Sequence, residues 1–297
     1  MKLRINGVRG SRPTHKKNLL GYGGNSTSFE IVTDESDGYY IFIDGGSGLA
    51  KRGREIRKKP MHHEYHMLVT HTHMDHILGY PLFEPMFDEK NTLHFYSSST
   101  SKADFNNLFF GLQKQTHLPI PTNKIKAQTN FLQIFPQVGF SIGDKYHVTT
   151  FQLNHQGITL GYRIESEGAS VAIVTDCAPS EDGNILGEKL RRDGESDQEF
   201  TKRFESGLIT WLKGCHTVVF DTHFTEENLK PDWGHSTPDR ALEFCIKAGV
   251  KRLVLFHHAP EDSDMDVDQK VKSVIKRASD HNIEVVAAKE GDEWELS

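Results

Sequence analysis

Short apolar runs punctuated by glycine and charged turns fill this chain, and most are of strand length. Residues 29–32 and 40–43 are two such runs, with a polar turn over 34–38 between them, and both predict strands. The Asp44-Gly45-Gly46-Ser47-Gly48 segment ends the second, and the basic stretch 51–59 predicts a solvated helix. Residues 66–70 predict another strand. From 88 to 145 the pattern weakens to short strands at 93–96 and 133–135 and a helix-like piece over 102–112. Residues 147–153, 159–165 and 170–175 predict three successive strands, and the polar segment 180–206 a solvated insertion or helix pair. In the last third, strands are expected at 218–221, Arg252–Phe256 and 283–287. Thr237 before Pro238 marks a helix start, and 267–281 has the spacing of an amphipathic helix. Strands interleaved with helices imply helices packed outside sheets. With no Pro/Gly/Ser-rich linker and no short-period repeat, residues 1–297 read as a single α/β domain.

Composition narrows the classes. Of 297 residues 36% are hydrophobic and 26% charged, enough for a substantial core. The formal net charge of −6 weighs against a chain whose main task is gripping nucleic-acid backbone. The three cysteines, Cys177, Cys215 and Cys245, show no paired spacing, which suggests a reducing compartment and no disulfide frame. Charges break the apolar runs of MKLRINGVRGSRP, so no signal peptide is expected, and no run approaches membrane-spanning length. Cytoplasmic is the default expectation.

Histidine changes the picture, with seventeen in the chain and several clustered beside aspartate. In Thr70-His71-Thr72-His73-Met74-Asp75-His76, His71 and His73 follow an apolar strand two residues apart. Extended backbone points such a pair to one side. Asp75 and His76 lie where the chain turns toward a helix, so strand end and turn together can serve two adjacent ions. A chance histidine-rich surface loop is the bland alternative. It is disfavoured because the chain supplies more ligand types at other strand ends: His155, Asp176 and His257. By contrast, His63-Glu64-Tyr65-His66 lacks the spacing of a zinc-binding HExxH helix, and Cys177, beside Asp176, is read as a packing residue.

These residues resemble the metallo-β-lactamase superfamily, whose HxHxDH motif they carry. The resemblance implies an α/β metallo-β-lactamase fold, a four-layer αββα sandwich. It implies that His71, His73 and His155 bind one ion, that Asp75, His76 and His257 bind a second, and that Asp176 bridges. His258 competes with His257, which is preferred because family members place the ligand directly after the strand's last apolar residue. Imidazoles and carboxylates suit two divalent ions, Zn²⁺ first and Mn²⁺ or Fe as alternatives, over Mg²⁺ or Ca²⁺. Such a pair can share a hydroxide nucleophile. Asp44 resembles the family's aspartate that orients a ligand histidine, with a turn-forming role as the alternative.

Trp233-Gly234-His235-Ser236-Thr237 resembles the GHST motif of the superfamily's phosphodiesterase branch, which includes RNase Z, phosphoribosyl cyclic phosphodiesterases and anti-Pycsar phosphodiesterases. The resemblance implies catalytic roles for His235, for Asp221 as its acidic support and for Asp75. Residues 7–13 and 22–27 resemble the start of small bacterial phosphodiesterases, where Asn25 either lines the site or serves the scaffold. No glycine- and basic-rich arm of the tRNA-gripping kind is present, and Ala259 stands where relatives often carry Asp. The function expected is therefore a phosphodiesterase acting on a small cyclic phosphodiester, first a cyclic nucleotide. A phosphoribosyl cyclic phosphodiesterase or RNase Z-like nuclease comes second, and a thioester or other ester hydrolase third. The expected partner is that small substrate; nucleic acid is disfavoured, no membrane is expected, and a homodimer is admitted. Residues 106–121, with Phe109 and Phe110, form either a flap that stacks on a base or ordinary core.

Overall fold

Side-chain alternation along the strands decides the layering. The computed structural model describes residues 1–34, 37–58, 63–98, 124–180, 185–187 and 190–296. These form two seven-stranded sheets. The first comprises β1 (Lys2–Gly7), β2 (Ser28–Val32), β3 (Tyr39–Ile43), β4 (Glu64–Leu68), β5 (Thr92–Ser97), β6 (Gln128–Gln133) and β14 (Glu293–Glu295) in the order β14-β1-β2-β3-β4-β5-β6. The second comprises β7 (Gly139–Ile142), β8 (Tyr146–Leu153), β9 (Thr159–Ser166), β10 (Ala169–Val174), β11 (Thr217–Asp221), β12 (Arg252–Phe256) and β13 (Glu284–Ala287) in the order β13-β12-β11-β10-β9-β8-β7. Strands β3 to β6 pair in parallel, as do β10 to β13, and antiparallel strands complete both sheets.

Ile41 and Ile43 of β3 pack with Val171, Ile173, Val219, Val254 and Phe256 in the core between the sheets. Their neighbours Tyr40 and Phe42 face outward, onto Leu49 and Ile56 of α1 (Ser47–Ile56). On the second sheet Ala172, Val174, Phe220 and Leu255 face outward against α3 (Asp197–Leu212), α4 (Pro238–Ala248) and α5 (Asp264–Asp280). Period-two alternation thus yields helix, sheet, sheet, helix. Fully burying each large apolar side chain contributes about 1.5–3 kcal/mol. The short helix α2 (Met74–Ile77) lies in the loop after β4, with Ile77 packed among the residues beneath α1.

Several boundaries differ from those the sequence predicts. The helix expected over 51–59 runs from Ser47 to Ile56, because Leu49 and Ile56 pack beneath it. Within 180–206 a single amphipathic helix, α3, extends to Leu212. Ser196 and Glu199 cap it reciprocally, and Phe200, Phe204, Leu208 and Leu212 form its buried face, while 191–194 and 196–199 are exposed as the solvated reading expects. The strand expected at 133–135 overlaps β6 only at its last residue, Gln133. A capping box between Ser263 and Asp266 starts α5 three residues earlier than its apolar periodicity predicts. The helix-like piece at 102–112 and the segment 106–121 lie outside the described residues. Among the described residues no helix is long and apolar enough to cross a membrane.

Candidate metal centre and active site

All of the chemically prominent residues but His235, which precedes α4, sit at or just beyond the end of a strand. Asp44 follows β3, the 71–76 segment follows β4, His155 follows β8, Asp176 follows β10, Asp221 ends β11 and His257 follows β12. Parallel alignment brings these ends to one edge of each sheet, and face-to-face packing brings the edges together. Asp44, Asp176 and His257 take left-handed backbone, with φ of 56°, 53° and 61°. Their tight turns swing the side chains back across the strand ends. Such conformations are uncommon for residues other than glycine, and they concentrate at functional sites.

The side chains converge in two groups that share Asp176. Donor atoms of His71, His73, His155 and Asp176 lie within 4.8 Å of one another, as do those of Asp75, His76 and His257. Asp176 Oδ2 stands 3.5 Å from His71 Nε2 and 3.6 Å from His155 Nε2. Its Oδ1 stands 3.3 Å from His76 Nε2 and 3.2 Å from His257 Nε2. One carboxylate thus turns a different oxygen to each group. The Nε2 atoms of His71 and His76 are buried and find no hydrogen-bond partner among the described residues. Unpartnered imidazole nitrogens ringing carboxylate oxygens at these separations fit divalent cations. His258 takes no part, since its Nε2 donates to the Ala288 carbonyl at 2.9 Å. His257 faces the cluster.

Hydrogen bonds behind the cluster fix its orientation. Asp44 is fully buried and accepts from His76 Nδ1 at 2.7 Å, from the Thr70 amide at 2.8 Å and from the Thr70 hydroxyl at 2.7 Å. His76 therefore turns Nε2 to the site, as a carboxylate behind a ligand histidine requires. His155 Nδ1 donates to the Gly234 carbonyl at 2.9 Å. The Ser11 amide donates to Asp75 Oδ2 at 2.7 Å, and the Thr175 hydroxyl to Asp176 Oδ1 at 2.6 Å. Burial opposes charge on both Asp75 and Asp176, yet the surrounding imidazoles outweigh it and hold both below the ordinary carboxylate range. Burial likewise opposes charge on His76, but Asp176, Asp75 and Asp44 raise it well above its usual value.

A cavity of about 500 Å³ opens over these residues. His73, Asp75, His155, Asp176 and His257 line it, and so does His235. His235 Nδ1 donates to Asp221 Oδ2 at 2.9 Å. Asp221 is itself held by the amides of Cys177 (3.1 Å) and His223 (3.0 Å). Burial lowers the His235 pKa, but the Asp221 carboxylate overcomes this and brings it to about 9 on protein charges alone. The structure thus brings together Asp221, His235 and the seven expected ligands. Asn25 serves the scaffold, donating to Glu290 and accepting from Ser47.

Comparison with known proteins agrees with this architecture. Residues 39–192 match the family model for the β-lactamase superfamily domain. The chain belongs to the β-lactamase superfamily. With its His/Asp cluster it is a metallo-hydrolase of that superfamily. Among its relatives is ribonuclease Z of Sulfolobus acidocaldarius, 27% identical over 264 residues, covering 80% of this chain and 86% of the relative. The metallo-β-lactamase fold protein YhfI of Bacillus subtilis superimposes with a TM-score of 0.68 at 18% identity, covering 99% of this chain and 98% of that one. A diphosphatase of the PhnP family does so at 0.64 and 15%, covering 100% of this chain and 98% of its own. These superpositions show the superfamily fold.

Sequence reasoning missed some residues of this superfamily site. His223 stacks on His235 with ring centroids 4.6 Å apart, and its Nδ1 donates to the His257 carbonyl at 3.2 Å. Its position two residues after Asp221 was the available signal. Lys270 of α5, almost fully buried, donates to the carbonyls of Thr222 (2.8 Å) and His223 (2.6 Å) and to Asp262 (2.7 Å). It pins the turn that carries His223, and in sequence it is one lysine among many.

Proposed function

We propose that the protein is a phosphodiesterase in which the seven clustered residues hold two divalent ions and His235 serves as proton donor. His71, His73 and His155 would hold one ion and Asp75, His76 and His257 the other, with Asp176 between them. When bound, such ions activate water near neutral pH and polarise a phosphoryl group. The observation carrying the proposal is His235, supported by Asp221 and facing the same cavity as the cluster. With Nδ1 engaged by Asp221, Nε2 is left to serve the cavity. Water adds to phosphorus and releases a proton to solvent, the bond to the leaving oxygen breaks, and His235 transfers its proton to the departing alkoxide. Asp75 lies at the cavity wall, with Oδ2 steadied by the Ser11 amide. An ester with a more acidic leaving group needs that proton less.

The substrate proposed is a small cyclic phosphodiester, first a cyclic nucleotide, because the cavity is of small-molecule size and the chain is net acidic. The ribonuclease Z relatives favour a second reading, an RNA phosphodiester. The test is His235→Ala, assayed on a cyclic nucleotide and on bis(p-nitrophenyl) phosphate with metal content verified. General acid catalysis contributes about 10²–10⁴-fold. A loss of that size is expected on the cyclic nucleotide, with a smaller one on the p-nitrophenyl ester and metal content unchanged. Equal losses on both substrates refute the proton-donor role.

A further inference from the structure

Trp233 stands at the cavity wall, 52% exposed, two residues before His235. Its indole is left half in solvent at the mouth of a polar cavity. The Lys230 ammonium lies over the ring, 4.1 Å from its centroid, and Phe224 meets it edge-on at 6.1 Å. The ring is also held in place. Trp233 closes a short 3₁₀ turn that begins at Pro231, with its amide donating to the Lys230 carbonyl at 3.1 Å. Gln156 Nε2 donates to the Asp232 carbonyl at 3.3 Å, and His155 Nδ1 to the Gly234 carbonyl at 2.9 Å. The indole therefore sits on a turn tied on both sides to the loop that carries His155. Little ordering entropy remains to be lost when a ligand stacks on it.

The charge of this wall decides what it receives. Asp232 lines the cavity beside the indole. Its carboxylate repels phosphate and accepts hydrogen bonds from N–H groups. A phosphodiester is thus directed to the His/Asp cluster, and a flat, N–H-bearing group attached to it comes to the Trp233 wall. Exposed Met74, also on the cavity, adds apolar surface. We propose that Trp233 is a stacking platform for a nucleobase, so that the ester hydrolysed belongs to a nucleotide. This rests on the phosphodiesterase reading above and names its substrate class. The nucleobase comes either from a cyclic mononucleotide or from the end of an RNA strand.

The experiment compares wild type, Trp233→Ala and Trp233→Phe on three substrates: 3′,5′-cyclic AMP, a short single-stranded RNA, and the base-free 1-O-methylribose 3,5-cyclic phosphate. Loss of one base–aromatic stack corresponds to a rise of about 5- to 150-fold in KM. That rise is expected for Trp233→Ala on whichever base-bearing substrate the wild type cleaves. Its kcat should change little, KM for the base-free ester should hold, and Trp233→Phe should recover most of the loss. The substrate showing the split identifies the source of the base. Equal KM changes with and without a base overturn the proposal. A second measurement decides it independently of turnover: adenosine 5′-monophosphate should quench tryptophan fluorescence in wild type and lose that quenching in Trp233→Phe. Failure of wild type to cleave any of the three esters would remove the phosphodiesterase reading. Absence of the Trp233-dependent quench would overturn the platform.

Discussion

Asp44→Asn isolates one buried hydrogen-bond choice. In the native protein Oδ1 accepts the Thr70 amide at 2.8 Å, and Oδ2 accepts both the Thr70 hydroxyl and His76 Nδ1 at 2.7 Å. An asparagine amide offers one acceptor edge and one donor edge. If its nitrogen takes the Oδ2 position, it donates toward His76 Nδ1. The imidazole proton then moves to Nε2 and blocks the lone pair aimed at Asp75 and Asp176. If its nitrogen takes the Oδ1 position, two donors face each other at the Thr70 amide, a buried conflict costing about 1–3 kcal/mol. Losing a carboxylate that orients a ligand histidine typically weakens metal binding about 10- to 100-fold. The expected result is a drop of that order at one of two sites, measured by chelator competition, with folding retained by circular dichroism. Wild-type affinity and stoichiometry in Asp44→Asn would refute the orienting role and leave Asp44 a turn residue.

Gly234→Ala places a methyl group 2.1 Å from His155 Nδ1 at a residue with φ of 82°. The left-handed backbone costs alanine about 1–2 kcal/mol, and His155 must shift. At least a tenfold loss of metal affinity is expected by the same competition assay, and unchanged affinity would contradict the packing. His66 is buried, with Nδ1 2.9 Å from the Tyr96 hydroxyl and its ring stacked on His94; burial, then His94, lowers its pKa to about 4. The unfolded chain takes up that proton from about pH 6.5 downward and the folded chain only near pH 4, so the contribution, about 3 kcal/mol, is present above pH 6.5 and lost as pH falls to 4. Urea unfolding in chelator across that range should give a flatter pH profile for His66→Asn, and parallel profiles would exclude His66 as the source.

How much was legible from sequence follows the range of the interactions. The residues that cluster were readable because the strand end fixes His71 and His73 as a local pair, and His155, Asp176 and His257 each follow a run of strand periodicity. Strand Arg252–Phe256 matches its apolar run residue for residue, since both its faces are buried. The start of α5 was not found from periodicity, because the Ser263–Asp266 cap sets it and not the apolar stripe. Strands β1 and β14 pair across nearly the full length of the chain, and no local pattern announces such a partner. His257 and His258 are adjacent and alike. Position directly after the strand's last apolar residue favours His257, and the left-handed backbone at 257 and the Ala288 carbonyl bonded to His258, both tertiary facts, separate the two in the structure.

The buried charge supplies a reason for the donor set that does not depend on family likeness. Among the described residues four aspartates are buried, Asp44, Asp75, Asp176 and Asp221, and all four belong to this site. Removing a carboxylate from water costs several kcal/mol unless a partner compensates. The cationic help from elsewhere is Lys270, which spends its bonds on Asp262 and two carbonyls. Protein charges alone meet the deficit by driving His76 and His235 toward their protonated forms. Dications would take over that compensation at His76 and leave its Nε2 free to ligate, while His235, held by Asp221, keeps a proton to give. One arrangement of carboxylates thus favours metal at one imidazole and a proton at another. The donors come from both sheets, four from the loop after β4 and three from the ends of β8, β10 and β12. Their spacing therefore depends on how the two sheets pack across the apolar core between them.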